Sequence, residues 1–151
     1  MLDFQVIKND ADLKMPLSRA RLVDFLYKHL GVYTDTKEAI SLAIDYSFSN
    51  DAGRGGFLLV ATEENELAGA LVMNSTGMAG FVPENLLVYV AVNSQFRNRG
   101  IGKLIVEKAI EICGGDVALH CDFGNPAQRL YERMGFEVKY NEMRFYKKSG
   151  Q

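Results

Sequence analysis

The sequence predicts a single mixed α/β (α+β) domain spanning residues 1–151, with a central, mostly antiparallel sheet and helices on both of its faces. Three observations carry this prediction. Short apolar runs at 57–61, 67–73, 86–92 and 117–121 have strand length and are bounded by turn formers, whereas 18–30, 37–48 and 100–113 carry apolar residues at helical spacing. Runs 57–61 and 67–73 are joined by a connection short enough for a hairpin, and 86–92 and 117–121 are separated by the helix 100–113, which is the grammar of one parallel crossover. A length of 151 residues suits one core, and no linker, repeat or low-complexity tract divides it.

In order, Phe4 to Lys8 reads as a short strand and Asn9 to Asp12 as a loop of turn formers. Ser18 to Leu30 reads as a helix, with Ala20, Leu22, Val23, Leu26 and Tyr27 near helical spacing and Gly31 as its stop. A second helix, Lys37 to Phe48, is capped by Thr36 or Asp35. Phe57 to Ala61 and Leu67 to Met73 form a hairpin around Glu63 to Glu66. The stretch from Asn74 to Glu84, with Gly77, Gly80 and Pro83, is long for a loop, which marks it as functional or mobile. Leu86 to Val92 is almost wholly apolar, as a strand covered on both faces requires. The helix from Gly100 to Cys113 turns Ile101, Leu104, Ile105, Ala109 and Ile112 to the core and Lys103, Glu107 and Glu111 outward. Val117 to Cys121 is the next strand. A helix from Pro126 to Met134 starts from Asn125 as cap, and Phe136 to Val138 with Met143 to Tyr146 are expected to close the sheet as a pair of short strands.

Composition excludes several functions. Seventeen Lys and Arg against nineteen Asp and Glu leave a formal net charge of -2, so no global field draws in nucleic acid or a membrane surface. The first residues lack a basic and apolar leader, and no segment approaches the length of a membrane span. Cys113 and Cys121, with His29 and His120, have no metal-ligand spacing and are too few for a disulfide framework, so the expectation is a cytoplasmic protein without a metal. His29, near a helix C-terminus, is expected to interact with the dipole there.

One segment stands out chemically. A buried strand ending at Val92, a polar connection, and then glycines opening a helix is the arrangement in which free backbone N–H groups and the helix dipole converge on an anion. In Arg97-Asn98-Arg99-Gly100-Ile101-Gly102-Lys103, Gly100 and Gly102 admit close approach, and Arg97, Arg99 and Lys103 add local positive charge. The same glycines would also serve a plain tight turn. Ile105 stands where a dinucleotide fingerprint needs its third glycine, and Leu104 where a Walker loop needs a hydroxyl, so both of those phosphate loops are excluded.

Arg97-Asn98-Arg99-Gly100-Ile101-Gly102 resembles the Arg/Gln-x-x-Gly-x-Gly/Ala signature of the GCN5-related N-acetyltransferases, or GNAT family. Val90-Ala91-Val92 is similar to the end of that family's fourth strand. The run Asn125 to Phe136, containing Leu130-Tyr131-Glu132, is similar to its Asn…Leu-Tyr-Glu-x-x-Gly-Phe segment, one residue shorter between Asn125 and Tyr131 than the common spacing. The close resemblance covers about residues 86 to 138. It implies a sheet splayed between strands 4 and 5 and acetyl-CoA as co-substrate. Backbone amides from Asn98 to Lys103 (Asn98, Arg99, Gly100, Ile101, Gly102, Lys103) would receive its pyrophosphate, and Val90 and Val92 would pair with its pantetheine arm. Asn125 is carried over as a further cofactor contact or a helix cap.

Acetyl transfer to an amine needs a neutral nucleophile, a stabilised oxyanion and a proton for the departing thiolate. The resemblance gives the acid role to Tyr131. Relatives often carry a base on strand 4, but Leu86 to Val90 offers no carboxylate, which leaves Glu84 and His120, with Asp122, as the nearest base candidates by topology, or a water chain. A covalent route through Cys121 is disfavoured because neighbours in a strand face opposite ways and His120 would not share its proton. The connection from Gly31 to Asp35, between the first two helices, and the Ser75 to Asn85 loop are the expected walls of the acceptor site, with Tyr33 and Asp35 as candidates to recognise a cationic amine or as a plain helix connection. The expected activity is direct transfer to a primary amine in a ternary complex. The competing readings are a CoA-binding regulatory module without catalysis and an acetyltransferase of protein N-termini or lysines. A homodimer is compatible with the sequence, and no nucleic-acid or membrane partner is expected.

Overall fold

The structure is a computed structural model that describes residues 1–148. The chain divides into two compact units, Met1–Leu119 and His120–Gln151.

The first unit is built on a sheet in the order β1-β2-β3-β4-β5, formed by Leu2–Ile7, Gly56–Glu63, Glu66–Ser75, Asn85–Val92 and Val117–Leu119. The first three pairings are antiparallel and the last, β4 with β5, is parallel. Glu64 and Asn65, both in the left-handed region, make the two-residue turn that joins β2 to β3. Helices α1 (Arg19–Leu30) and α2 (Lys37–Ser47) precede β2, and α3 (Ile101–Ile112) crosses from β4 to β5. The Ser18 hydroxyl accepts from the Arg21 N–H, and the Thr36 hydroxyl from the Ala39 N–H, so each of the first two helices has a side-chain cap.

Strand alternation assigns the helices to faces. Leu58 and Val60 of β2, Ala70 and Val72 of β3, and Tyr89 and Ala91 of β4 share one core with Leu22, Phe25 and Leu26 of α1 and Ile40 and Ile44 of α2. Gly69, of opposite parity, faces α3: a methyl group there would lie 2.3 Å from Ile105 Cδ1. Ile101, Ile105, Val106 and Ala109 are the buried residues of α3, whereas Leu104, expected inside, is half exposed because Val106 occupies the stripe that meets the sheet.

In the second unit α4 (Ala127–Arg133) is the one helix among the described residues. Two expectations fail here. The strand expected to reach Cys121 ends at Leu119, so His120 and Cys121 lie beyond it. The closing pair over 136–138 and 143–146 does not form, and Val138, Met143, Phe145 and Tyr146 are exposed. An apolar alternation is only half of a strand signal. Those residues have no ladder partner, and an isolated two-stranded ribbon is marginal in water.

Candidate active site

The connection from β4 to α3 is locked by the side chain of Asn93. Its Oδ1 accepts from the Gln95 N–H, its Nδ2 donates to the Leu67 carbonyl, and its own N–H donates to the Ala68 carbonyl at 2.8 Å. The chain then turns through Asn98 (φ 64°) and Gly100 (φ 75°), both left-handed, to enter α3. Asn tolerates that region through local polar contacts and Gly without penalty. Gly100 occupies the cap position with no side-chain hydrogen bond, in contrast to Ser18 and Thr36. The amides of Ile101, Gly102 and Lys103 therefore open a 12-residue helix without an intrahelical partner. The space in front of them is open: an added methyl group would meet nothing within 4 Å at Gly100 and only Val92 Cγ2, at 3.5 Å, at Gly102. Uncapped amides, a full-length helix dipole and open approach fit a phosphate group.

The cations around this turn are engaged within the protein. Arg97 donates from Nη2 to the His29 carbonyl at 2.8 Å and from Nε to the Val92 carbonyl at 3.4 Å, tying the end of α1 to the end of β4. Arg99 makes a two-pronged pair with Glu63, at 2.8 and 2.9 Å, and lies over the Phe96 ring. The Arg99 hydrogen bond holds the Glu63 carboxyl below its ordinary range. Lys103 lies 3.7 Å from Glu107 and is the loosest of the three. Residue type alone could not show that Arg97 is a strut.

His29 lies in the last turn of α1, as expected, and has a specific partner there. Its Nδ1 accepts from the Ser94 N–H at 3.2 Å, which assigns the proton of the neutral ring to Nε2. Burial, then Lys28 and Arg97, push its pKa down. With Arg21, Asp24, Phe25, Lys28, Glu66, Leu67 and Asn93 it lines a cavity of about 310 Å³ that contains none of the expected cofactor-binding residues.

The sheet opens beside this turn. Pairing of β4 with β5 stops at Leu87 with Leu119, whereas pairing with β3 continues to Val92. From Val88 to Val92, the edge of β4 directed away from β3 therefore has no paired strand among the described residues. Val90 and Val92 belong to that stretch, on the α3 side of the sheet.

On the opposite face the Tyr89 hydroxyl, carried by a buried ring, donates to Asp35 Oδ2 at 2.5 Å. Burial and then the Asp35 carboxylate push the phenol pKa well above its ordinary value. Tyr33, two residues before Asp35, is exposed. The loop between β3 and β4 is closed at its base, where the Thr76 N–H donates to the Glu84 carbonyl at 2.9 Å and the Thr76 hydroxyl to the Pro83 carbonyl at 2.7 Å. Tyr46 adds a bond to the Ser75 carbonyl at 2.7 Å. The Glu84 side chain lies over Gly115, before β5, at the end of β4 remote from Val92.

In the second unit Asn125 Oδ1 accepts from the Ala127 N–H at 2.9 Å, so Asn125 serves the first turn of α4. Tyr131 is half-buried and packs edge-on against Phe136, with ring centroids 5.7 Å apart. Burial and then Cys121 push its hydroxyl up to about 12. Burial likewise raises the Cys121 thiol, with Asp122 adding to the effect, so this cysteine is not set up as a thiolate nucleophile. His120 is exposed.

The sequence pattern of the Acetyltransferase (GNAT) family matches residues 22–136, more than two-thirds of the chain and across both units. The chain belongs to the GNAT acetyltransferase family. It is 33% identical over 66 residues to the mouse cysteine-rich protein 2-binding protein, a stretch covering 43% of this chain and 8% of that protein, so the chain spans a small fraction of its curated relative. Its fold is similar to that of an aminoglycoside N-acetyltransferase in complex with CoA, at 14% identity and a TM-score of 0.67, over 99% of this chain and 95% of the other. It is also similar to a ribosomal-protein-alanine N-acetyltransferase from Brucella melitensis, at 14% identity and a TM-score of 0.64, over 97% and 99% of the two chains.

The GNAT signature was legible from Arg97 to Gly102, but the Tyr89 to Asp35 bond was not. The one signal in the sequence is a hydroxyl-bearing residue within the apolar run of β4.

Proposed function

We propose that this GNAT protein is one N-acetyltransferase domain over residues 1–151 that transfers the acetyl group of acetyl-CoA to a primary amine by direct attack in a ternary complex. The observation that carries the proposal is the uncapped first turn of α3 beside an unpaired strand edge. The amides of Asn98 to Lys103 bind the pyrophosphate, with Arg97 holding the turn in place. The edge at Val90 and Val92 accepts the amide-bearing arm as an added strand would be accepted. The amine nitrogen then attacks the thioester carbon, the carbon–sulfur bond breaks, and the Tyr131 hydroxyl meets the departing thiolate. An alkyl thiol titrates at about 8.5, so a phenol held near 12 stays protonated and can donate a hydrogen bond to the thiolate, while full proton transfer to it is uphill. The amine proton leaves through water, with Glu84 and His120 as the side chains proposed to receive it. Asn125, whose side chain supports the start of α4 from the residue before its Pro126 cap, is proposed as a further cofactor contact.

The absence of a carboxylate along Leu86 to Val92 favours a second reading, a CoA-binding module without turnover. The similar structures concern a small-molecule and a protein acetyltransferase, so the fold does not choose between such acceptors. Incubation with acetyl-CoA and a panel of small amines and peptides, followed by release of free thiol, tests the proposal. Thiol release that depends on an amine is expected. Binding of acetyl-CoA with no release on any acceptor would replace the enzyme by the module. Gly102→Asp places a carboxylate where the pyrophosphate binds and is expected to weaken acetyl-CoA binding at least about 100-fold, read by calorimetry on the folded variant.

A further inference from the structure

We propose that Asp35, positioned by Tyr89, is the anchor for a cationic ammonium group of the acceptor. The proposal names the substrate class of the site above and rests on that reading only for its link to transfer. Asp35 lies at the position just before Thr36, and by residue type either could cap α2. The structure gives the cap to Thr36, whose hydroxyl accepts from the Ala39 N–H at 3.1 Å. The Asp35 carboxylate is thereby left for another partner. Its main chain is fixed as well, because the Thr34 hydroxyl donates to the Asp35 carbonyl at 2.8 Å.

That partner is the Tyr89 hydroxyl, which reaches Oδ2 from a residue 9% exposed, while Asp35 itself is exposed. A rigid strand thus orients one carboxylate oxygen through a charge-assisted bond, while the other has no hydrogen-bond or ion-pair partner among the described residues. Among the described residues no Lys, Arg or His nitrogen lies within 4 Å of Asp35, whereas Asp10, Asp24 and Asp45 are each paired with a cation. A fixed, negative and unneutralised carboxylate fits an ammonium ion.

Its place in the sheet fits an acceptor. Tyr89 stands two residues past Leu87, where pairing with β5 ends, and its ring belongs to the α1 and α2 face. The open first turn of α3 lies on the other face. A donor held at α3 and an amine held at Asp35 therefore approach the opening in the sheet from opposite sides. The exposed side chains of Val32 and Tyr33, in the same connection, offer an apolar surface for the body of such an amine.

The test is calorimetric titration of the CoA-loaded protein with 2-phenylethylamine, putrescine and spermidine, and with uncharged 2-phenylethanol as the neutral probe. Asp35→Asn is expected to weaken at least one ammonium probe by about tenfold or more, with acetyl-CoA affinity and 2-phenylethanol binding unchanged. Asp35→Glu should recover part of the loss. Tyr89→Phe should produce a smaller loss with the same selectivity for charge, which a merely structural hydroxyl would not show. Equal affinity in wild type and Asp35→Asn, or no binding of any ammonium probe, overturns the anchor. The two readings separate cleanly. Ammonium binding through Asp35 without thiol release on adding acetyl-CoA keeps the anchor and discards transfer, whereas thiol release with an unchanged KM in Asp35→Asn keeps transfer and discards the anchor.

Discussion

A phenol that loses its proton only near about 12 stays protonated across the whole range in which an acetyltransferase is assayed. Tyr131→Phe deletes the donor while keeping the ring that packs on Phe136. Turnover is expected to fall about 10- to 1000-fold, with acetyl-CoA affinity nearly intact, and unchanged kcat in steady-state kinetics would remove Tyr131 from the reaction. Because its pKa is raised, no alkaline loss of kcat below about pH 10 should trace to this residue. His29 makes the opposite case. Its lowered folded pKa means that its contribution to stability is fully present above the unfolded value of 6.5 and is lost as pH falls through the folded pKa. Protonation places a hydrogen on Nδ1, the atom that accepts from Ser94. Calorimetric melting from pH 7.5 to 5 should therefore show a decline in wild type that is reduced in His29→Gln, and parallel curves would exclude the assignment. At this scale the sequence exposed residue types but not partners. Gly100 and Tyr131 were readable from a pattern, whereas the engagement of Arg97 with the His29 carbonyl and of Asp35 with the Tyr89 hydroxyl joins residues distant in the chain.

The elements were read more easily than the contacts because each is written locally. Ser18, Thr36 and Gly31 mark helix ends through groups within one turn, and β2 to β4 form where apolar runs meet turn formers. The failures are those that need a partner. Residues 136–146 have the alternation of strands but no ladder, and the strand expected to reach Cys121 pairs with β4 over only three positions. The packing of α3 on the sheet governs the proposed anion site, since the helix whose first turn is proposed to bind phosphate is positioned by Ile101 and Ile105. Gly69 permits that approach. Gly69→Val would drive a branched side chain into Ile105 Cδ1, 2.3 Å from an ideal Cβ, and into the Ala91 carbonyl at 3.2 Å. Overpacking of this kind costs about 1–3 kcal/mol, and because α3 must shift, acetyl-CoA affinity should fall along with the melting temperature. A loss of stability with affinity preserved would show that the first turn is positioned independently of the helix body.

The buried apolar residues lie between Ile7 and Ala109, so the cooperative core belongs to the first unit. Tyr140, Phe145 and Tyr146 are each at least 78% exposed, in a segment with no regular secondary structure. A protease needs several residues of extended backbone, which this segment offers without breaking a ladder or opening a core. Phe81 is 79% exposed but sits in the loop closed at its base by Thr76, which makes it an internal control. Limited digestion of the whole protein with chymotrypsin is therefore expected to cut after Tyr140, Phe145 or Tyr146 before it cuts after Phe81, as read by intact mass. The clipped protein should melt within about 4 °C of the uncut chain, because removing exposed side chains takes away less than about 1 kcal/mol. Cleavage at Phe81 first, or a large fall in melting temperature after the C-terminal cut, would show that residues 136–148 hold the folded chain together.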